Sequence, residues 1–194
     1  MEGGVQESKK RRNNMKNKLL LGVTASIAAY KACEIVREFK KKDIDVYVVM
    51  TKNATKLVTP LTFKTLSENP VFVEMFAENS FYAIPHINLS EICKTMLIAP
   101  ATANIIGKIA NGIADDLLST LALSFKRNIF IAPAMNSAMY ENPVVQENIK
   151  KLKKLEKVFI IEPEEGELAC GESGKGRLAD INKIVKIVLK DVLS

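Results

Sequence analysis

Ile129–Met135 (IFIAPAM) is apolar at every position and runs into Asn136, after which a short helix-like segment reaches Tyr140. A strand with one wet face alternates, whereas a continuous apolar run belongs to a strand covered on both faces, the situation of parallel strands between helical layers. A chain built on such strands is constrained to a layered α/β sheet, which binds ligands beyond the carboxyl ends of its strands. Asn136 falls at such an end. Leu97–Asn104 (LIAPATAN) repeats the punctuation: an apolar run, Ala-Pro-Ala, then an asparagine opening a helix. Two strand ends alike predict one shared crevice.

The rest of the chain fits that frame. Lys18–Thr24 predicts the first strand. Ser26 is placed to cap a helix to about Lys41, with Ala29, Cys33, Val36 and Phe39 or Lys40 on one face. The turn GVTAS lacks a glycine-rich fingerprint, so a phosphate there would be held by hydroxyls and helix N-terminal amides. Asp45–Thr51 predicts the second strand, with Thr51 at its carboxyl end, followed by a helical region broken at Pro60. Pro70–Val73 reads as a short strand and Glu74–Ser90 as irregular, with His86 in an exposed, extended segment because a proline restricts its neighbour. Ile92–Ala99 is the next strand, with Cys93 inside it as a buried apolar residue. Thr102–Asn111 and Asp116–Phe125 predict helices, with Asp115 and Asp116 as caps or dipole partners. Asn128–Ala132 is a strand, Asn142–Leu155 a lysine-rich helix, Val158–Ile161 a strand and Ile181–Leu193 a closing helix, with a long polar loop over 162–180. This alternation predicts a doubly wound parallel sheet of about five or six strands.

Length and composition narrow the function classes. With 194 residues, 47% of them hydrophobic, one domain can bury its core without disulfides or metals. The net charge of +6 is concentrated at the start, where Lys9, Lys10, Arg11, Arg12, Lys16 and Lys18 outnumber Glu2 and Glu7. A basic tail alone is no groove reader, so the folded part is not expected to bind nucleic acid. The tail followed by LLLGVTASIAA imitates a secretory signal, but the apolar run is strand-length and its amphipathic continuation would be wasted by cleavage. No run approaches the roughly 18–20 apolar residues of a membrane helix. We therefore expect a disordered tail over 1–17, with Met15 an alternative start, and one domain over 18–194. Three scattered cysteines without a CxxC pair predict a reducing cytoplasm and no zinc site.

Several residues can carry chemistry. The segment Gly166–Arg177 surrounds Cys170 with four glycines, and Lys175 and Arg177 can favour its thiolate or bind an anion. His86, the single histidine, invites a general-base reading, although a lone histidine is more often structural or simply exposed. Asn136 can offer its amide to a carboxylate or simply cap a helix.

Taken together, GVTASIAAYKACEIVREF, VYVVMT, PHINL, APATANIIGKIANGIADDLLST, PAMNSAMY and ACGESGKGR resemble the flavin-dependent cysteine decarboxylase family, over about Lys18–Ser194. The Pro-x-Met-Asn-x-x-Met core marks the family. The Ala-Cys-Gly-Glu-x-Gly-x-Gly segment marks its branch acting on phosphopantothenoylcysteine in coenzyme A biosynthesis. The resemblance implies a Rossmann-like, flavodoxin-type three-layer fold, bound FMN, and a homotrimer or a dodecamer of trimers with active sites between subunits. It implies that Ser26, Thr51, Thr102 and Asn104 line FMN, that Asn136 and Met139 meet the substrate, and that His86 and Cys170 are catalytic. Tyr140 stands where the family often has tryptophan, an exchange expected to be tolerated. The implied reaction oxidises the thiol-bearing carbon to a thioaldehyde, loses carbon dioxide to an enethiolate, and re-reduces it with a proton from Cys170. A phosphopantothenoylcysteine synthetase, fused or separate, is the implied partner. The rivals are an oxidative peptidyl-cysteine decarboxylase, which the Cys170 segment argues against, a flavin prenyltransferase, which the PAMN context fits poorly, and a noncatalytic binding subunit.

Overall fold

The computed structural model describes residues 17–76, 85–167 and 173–194. Six strands form one parallel sheet in the order β3-β2-β1-β4-β5-β6: β1 (Lys18–Val23), β2 (Asp45–Met50), β3 (Val71–Phe72), β4 (Thr95–Ala101), β5 (Ile129–Pro133) and β6 (Val158–Ile160). This is the Rossmann order, whose direction of winding reverses between β1 and β4. The helices are α1 (Lys31–Lys40), α2 (Pro60–Ser67), α3 (Pro85–Ile92), α4 (Ala103–Ala110), α5 (Leu117–Ser124), α6 (Ser137–Glu141), α7 (Pro143–Lys153) and α8 (Ile181–Leu193). Among the described residues, no helix is long and apolar enough to cross a membrane.

The apolar runs split by parity, as pleating requires. Leu19, Leu21 and Val23 of β1, with Val46, Val48 and Met50 of β2, pack against α1, α2 and α8. Leu20, Val49, Met96, Ile98, Ile129 and Ile131 face the opposite layer of α3, α4, α5 and α7. Burying each large aliphatic side chain contributes about 1.5–3 kcal/mol, so two dry faces justify strands with no polar alternation.

Several boundaries differ from the sequence expectation for local physical reasons. The segment after Ser26 starts as a 3-10 turn, Ile27–Tyr30, before α1, and Ala32, Ile35, Val36 and Phe39 form its buried stripe while Cys33 is half-buried. Pro60 opens α2 rather than breaking a helix, because a proline at the first helical position forfeits no hydrogen bond. Pro85 does the same for α3. His86 is therefore helical and half-buried, not exposed and extended, since the restriction imposed by a proline falls on the residue before it. Cys93 precedes β4 and is fully buried, and burial pushes its thiol pKa up.

The largest departure lies in the predicted loop. Its described part is an antiparallel hairpin, β7 (Glu164–Glu167) with β8 (Ser173–Arg177). Cys170 lies outside the described residues.

Candidate functional site

At the switch point the chain is braced by Thr24. Its hydroxyl donates to Pro100 O at 2.7 Å and accepts from Thr102 N at 3.0 Å, tying the end of β1 to the end of β4 and the start of α4. Beyond that brace opens a cleft of about 740 Å³, lined among others by Ser26, Ile27, Lys31, Thr102, Ala134, Met135, Asn136, Met139, Gly176, Arg177 and Leu178. That volume lies within the roughly 300–1,000 Å³ of small-molecule sites. Among the described residues, the charged ones that line it, Lys31 and Arg177, are basic, which suits an anionic ligand. Ile27 and Met139 at its rim are 63% and 49% exposed.

Ser26 caps the 3-10 turn through its hydroxyl, 3.4 Å from Ala28 N. Thr102 holds the cap position of α4 but makes no side-chain capping bond there. Asn136 caps α6: its Oδ1 accepts from Ala138 N at 2.8 Å. That bond commits the amide oxygen to the start of the helix, so any group the side chain donates comes from its NH2.

The turn bearing Asn136 is clasped from outside by β8. Gly176, at φ 144°, supplies the acceptor of the pairing: Met135 N donates to Gly176 O at 3.0 Å. A Cβ on Gly176 would lie 2.4 Å from Met135 O, and one on Gly174 would lie 2.7 Å from Ser137 Cβ, so only glycine permits this approach. The hairpin register slips at the same place. Glu164 pairs with Arg177 and Glu165 with Lys175, leaving Gly176 as the extra residue of a bulge.

The bulge separates two cations that an even strand would put on one face. Arg177 lines the cleft. Lys175 instead stands 5.7 Å from the centre of the Tyr140 ring and 3.8 Å from Glu162 Oε2. Tyr140 is buried, and its hydroxyl donates to the same Glu162 oxygen at 3.1 Å. Burial and the Glu162 carboxylate push the tyrosine's pKa up to about 12.

Of the residues predicted from sequence, Ser26, Thr102, Asn136, Met139 and Arg177 meet in the cleft. Thr51 lies at the carboxyl end of β2, half-buried, its hydroxyl accepting from Ala54 N at 3.4 Å, and does not line the cleft. Asn104 is exposed, because two residues past Thr102 is about 200° round the helix. His86 does not line this cleft; its Nδ1 is buried and has no hydrogen-bond partner among the described residues. The sequence reading gave no role to Thr24 or Lys31. Thr24 was legible only as a hydroxyl between a strand and a cap, since its partners are 76 and 78 residues away.

Comparison with known proteins places this geometry. A coenzyme A biosynthesis bifunctional protein CoaBC of Bacillus subtilis is 45% identical over 172 residues, 89% of this chain and 42% of that protein. The chain thus spans less than half the length of this bifunctional relative. A probable phosphopantothenoylcysteine decarboxylase of Streptococcus mutans is 41% identical over 174 residues, 89% of this chain and 97% of that protein. Among solved structures, a cysteine-to-serine mutant of PPC decarboxylase complexed with pantothenoylaminoethenethiol superposes with a TM-score of 0.79 at 28% identity, over 90% of this chain and 97% of that one. With the family profile matching residues 7–193, across the sheet, the switch-point cleft and the clasped turn alike, the chain belongs to the Flavoprotein family.

Proposed function

We propose that the chain is an FMN-dependent phosphopantothenoylcysteine decarboxylase, forming phosphopantetheine in coenzyme A biosynthesis. The observation that carries this reading is the clasped turn: Asn136, its amide oxygen held by its own cap, at the rim of a cationic switch-point cleft. The Streptococcus mutans relative, matched over 97% of its length, supports it.

The donor set fits the cofactor. Ser26 and Thr102 bring hydroxyls to one side of the cleft, Ile27, Ala134, Met139 and Leu178 give apolar walls for flat rings, and Lys31 and Arg177 meet phosphates. Held there, FMN supplies the two-electron oxidation of the thiol-bearing carbon and the later return of those electrons.

The chain's own residues do the rest. Asn136 orients the departing carboxylate with a neutral donor, so this contact adds no charge that would hold the carboxylate back. Met139 packs against the substrate's apolar part. Cys170, on the segment joining β7 to β8, supplies the proton that completes the saturated product. His86 takes up a proton during oxidation, and its position away from its own cleft fits a homotrimer, or a dodecamer of trimers, in which it faces a neighbour's. A synthetase, fused or separate, precedes this step, and a cytoplasmic location goes with it.

The test is direct. The purified protein is expected to show a yellow flavin spectrum and to convert phosphopantothenoylcysteine to phosphopantetheine with release of carbon dioxide, followed by mass spectrometry. A colourless protein that releases no carbon dioxide overturns the reading. Cys170→Ser is expected to decarboxylate but to accumulate the enethiol, lighter by two hydrogens. Full conversion by that variant removes Cys170 from the mechanism.

A further inference from the structure

Glu162 lies outside the cleft, just past β6, yet its carboxylate gathers three elements that surround the Asn136 turn. Oε1 is 2.6 Å from Lys153 Nζ on α7. Oε2 accepts from the Tyr140 hydroxyl on α6 at 3.1 Å and lies 3.8 Å from Lys175 Nζ on β8. Lys175 also stands over the Tyr140 ring, so helix and hairpin touch through the two side chains that share this oxygen.

The geometry makes these contacts more than surface decoration. α6 begins at Asn136, and Tyr140 N donates to Asn136 O at 2.9 Å, so whatever holds Tyr140 holds the turn. On the other side, Gly176 follows Lys175 directly and receives the Met135 N–H. Lys175 and Tyr140 thus sit one covalent step or one helical turn from the two backbone groups that fix Asn136. An isolated half-exposed ion pair contributes little, about 0–1 kcal/mol. A buried hydroxyl and two ammonium groups converging on one carboxylate define instead a single arrangement of α6, α7 and β8.

We infer that Glu162 is a positioning residue, which through Tyr140 and Lys175 sets β8 against α6 and so places the Asn136 amide and Arg177 at the cleft. Lys175 then acts through Glu162 and not by touching the substrate. This role rests on the proposed decarboxylase reading only for its effect on turnover; its effect on local structure stands apart from it.

The experiment compares Glu162→Gln, Lys175→Met and the double variant of the full chain. Gln keeps an acceptor for Tyr140 and removes the charge. Amide hydrogen exchange read by mass spectrometry is expected to accelerate about fivefold in peptides covering 134–141 and 173–178, and to stay unchanged across α8. Each single variant is expected to lower kcat/KM about fivefold, and the double variant by the same factor, because contacting residues in one network are not additive. The fall is expected to be equal with phosphopantothenoylcysteine and with its dephosphorylated form, which a direct phosphate contact by Lys175 would not produce. Unchanged exchange, exchange accelerated throughout the chain, or multiplicative losses in the double variant each overturn the inference. If the wild-type protein releases no carbon dioxide, the functional reading fails and the exchange pattern alone decides this one.

Discussion

Asn136 serves two purposes with one amide. Its Oδ1 closes the first turn of α6, and that commitment orients the NH2 group offered to the substrate in the proposed reaction. The two can be separated, because aspartate caps a helix as well as asparagine does but carries a charge. Asn136→Asp is expected to leave the melting temperature within about 2 °C of wild type while kcat/KM falls by about three orders of magnitude. Two like charges roughly 4 Å apart in a partly desolvated site repel by about 4 kcal/mol. Near-normal turnover would refute the carboxylate grip. Gly176 is the complementary case, needed for conformation and space alone. At φ 144°, with Met135 O 2.4 Å from any added Cβ, alanine must push β8 off the turn. Gly176→Ala is expected to cost roughly 2 kcal/mol in urea unfolding as well as activity, and an unchanged unfolding midpoint would show that the hairpin is not docked there.

Among the elements, α5 shows how local chemistry fixes a boundary. Asp116 accepts from Ser119 N at 2.8 Å while Ser119 Oγ accepts from Asp116 N, a capping box, and Lys108 bridges to Asp115 and Asp116 at 2.7 and 2.6 Å. Partial burial pushes the Asp116 pKa up, but the bonds from Lys108 and Ser119 outweigh it and hold it below the ordinary value. A carboxyl depressed in the folded state stabilises above its unfolded pKa and loses that contribution as pH falls through its folded one. Asp116→Ala is therefore expected to cost about 1 kcal/mol at pH 7, with the gap to wild type closing below about pH 4. Denaturant titrations of both proteins at several pH values check this, and a gap that widens in acid would contradict it. This cap was legible in the sequence because it is made within four residues. The β7–β8 hairpin was not. EEGE and SGKGR carry no alternation of apolar residues, and their pairing is set by the Met135–Ser137 turn that Gly174 and Gly176 approach.

At the scale of the molecule, the far edge of the sheet is closed by the last helix. Asp191 on α8 accepts from Thr95 Oγ1 and from Asn128 Nδ2, both at 2.5 Å, joining the amino ends of β4 and β5 to a residue more than sixty positions later. Thr95 is fully buried, so its hydroxyl has no water to turn to. Removing the carboxylate in Asp191→Ala is expected to destabilise by roughly 2 kcal/mol, a fall in Tm of about 4–8 °C, with little change in kcat because the site lies at the opposite edge. A Tm unchanged within error would show that the staple contributes nothing.

The sequence by itself determined the sheet. Runs such as Ile129–Pro133 and Leu97–Ala101 are apolar on both faces, and only a strand between two helical layers buries them, so their type and the ligand-binding edge followed from local composition. It also marked Ser26 as a cap and Asp116 as a cap or dipole partner, since the groups involved are a few residues away. Only the tertiary structure decided which of the residues on that edge meet. Thr102 and Asn104 are two apart in sequence and on different faces of one helix; Lys175 and Arg177 are parted by a bulge at Gly176; His86 lies in a helix away from the cleft of its own chain. Those outcomes depend on contacts between segments dozens of residues apart, such as Thr24 with Pro100 and Gly176 with Met135, and no periodicity along the chain encodes them.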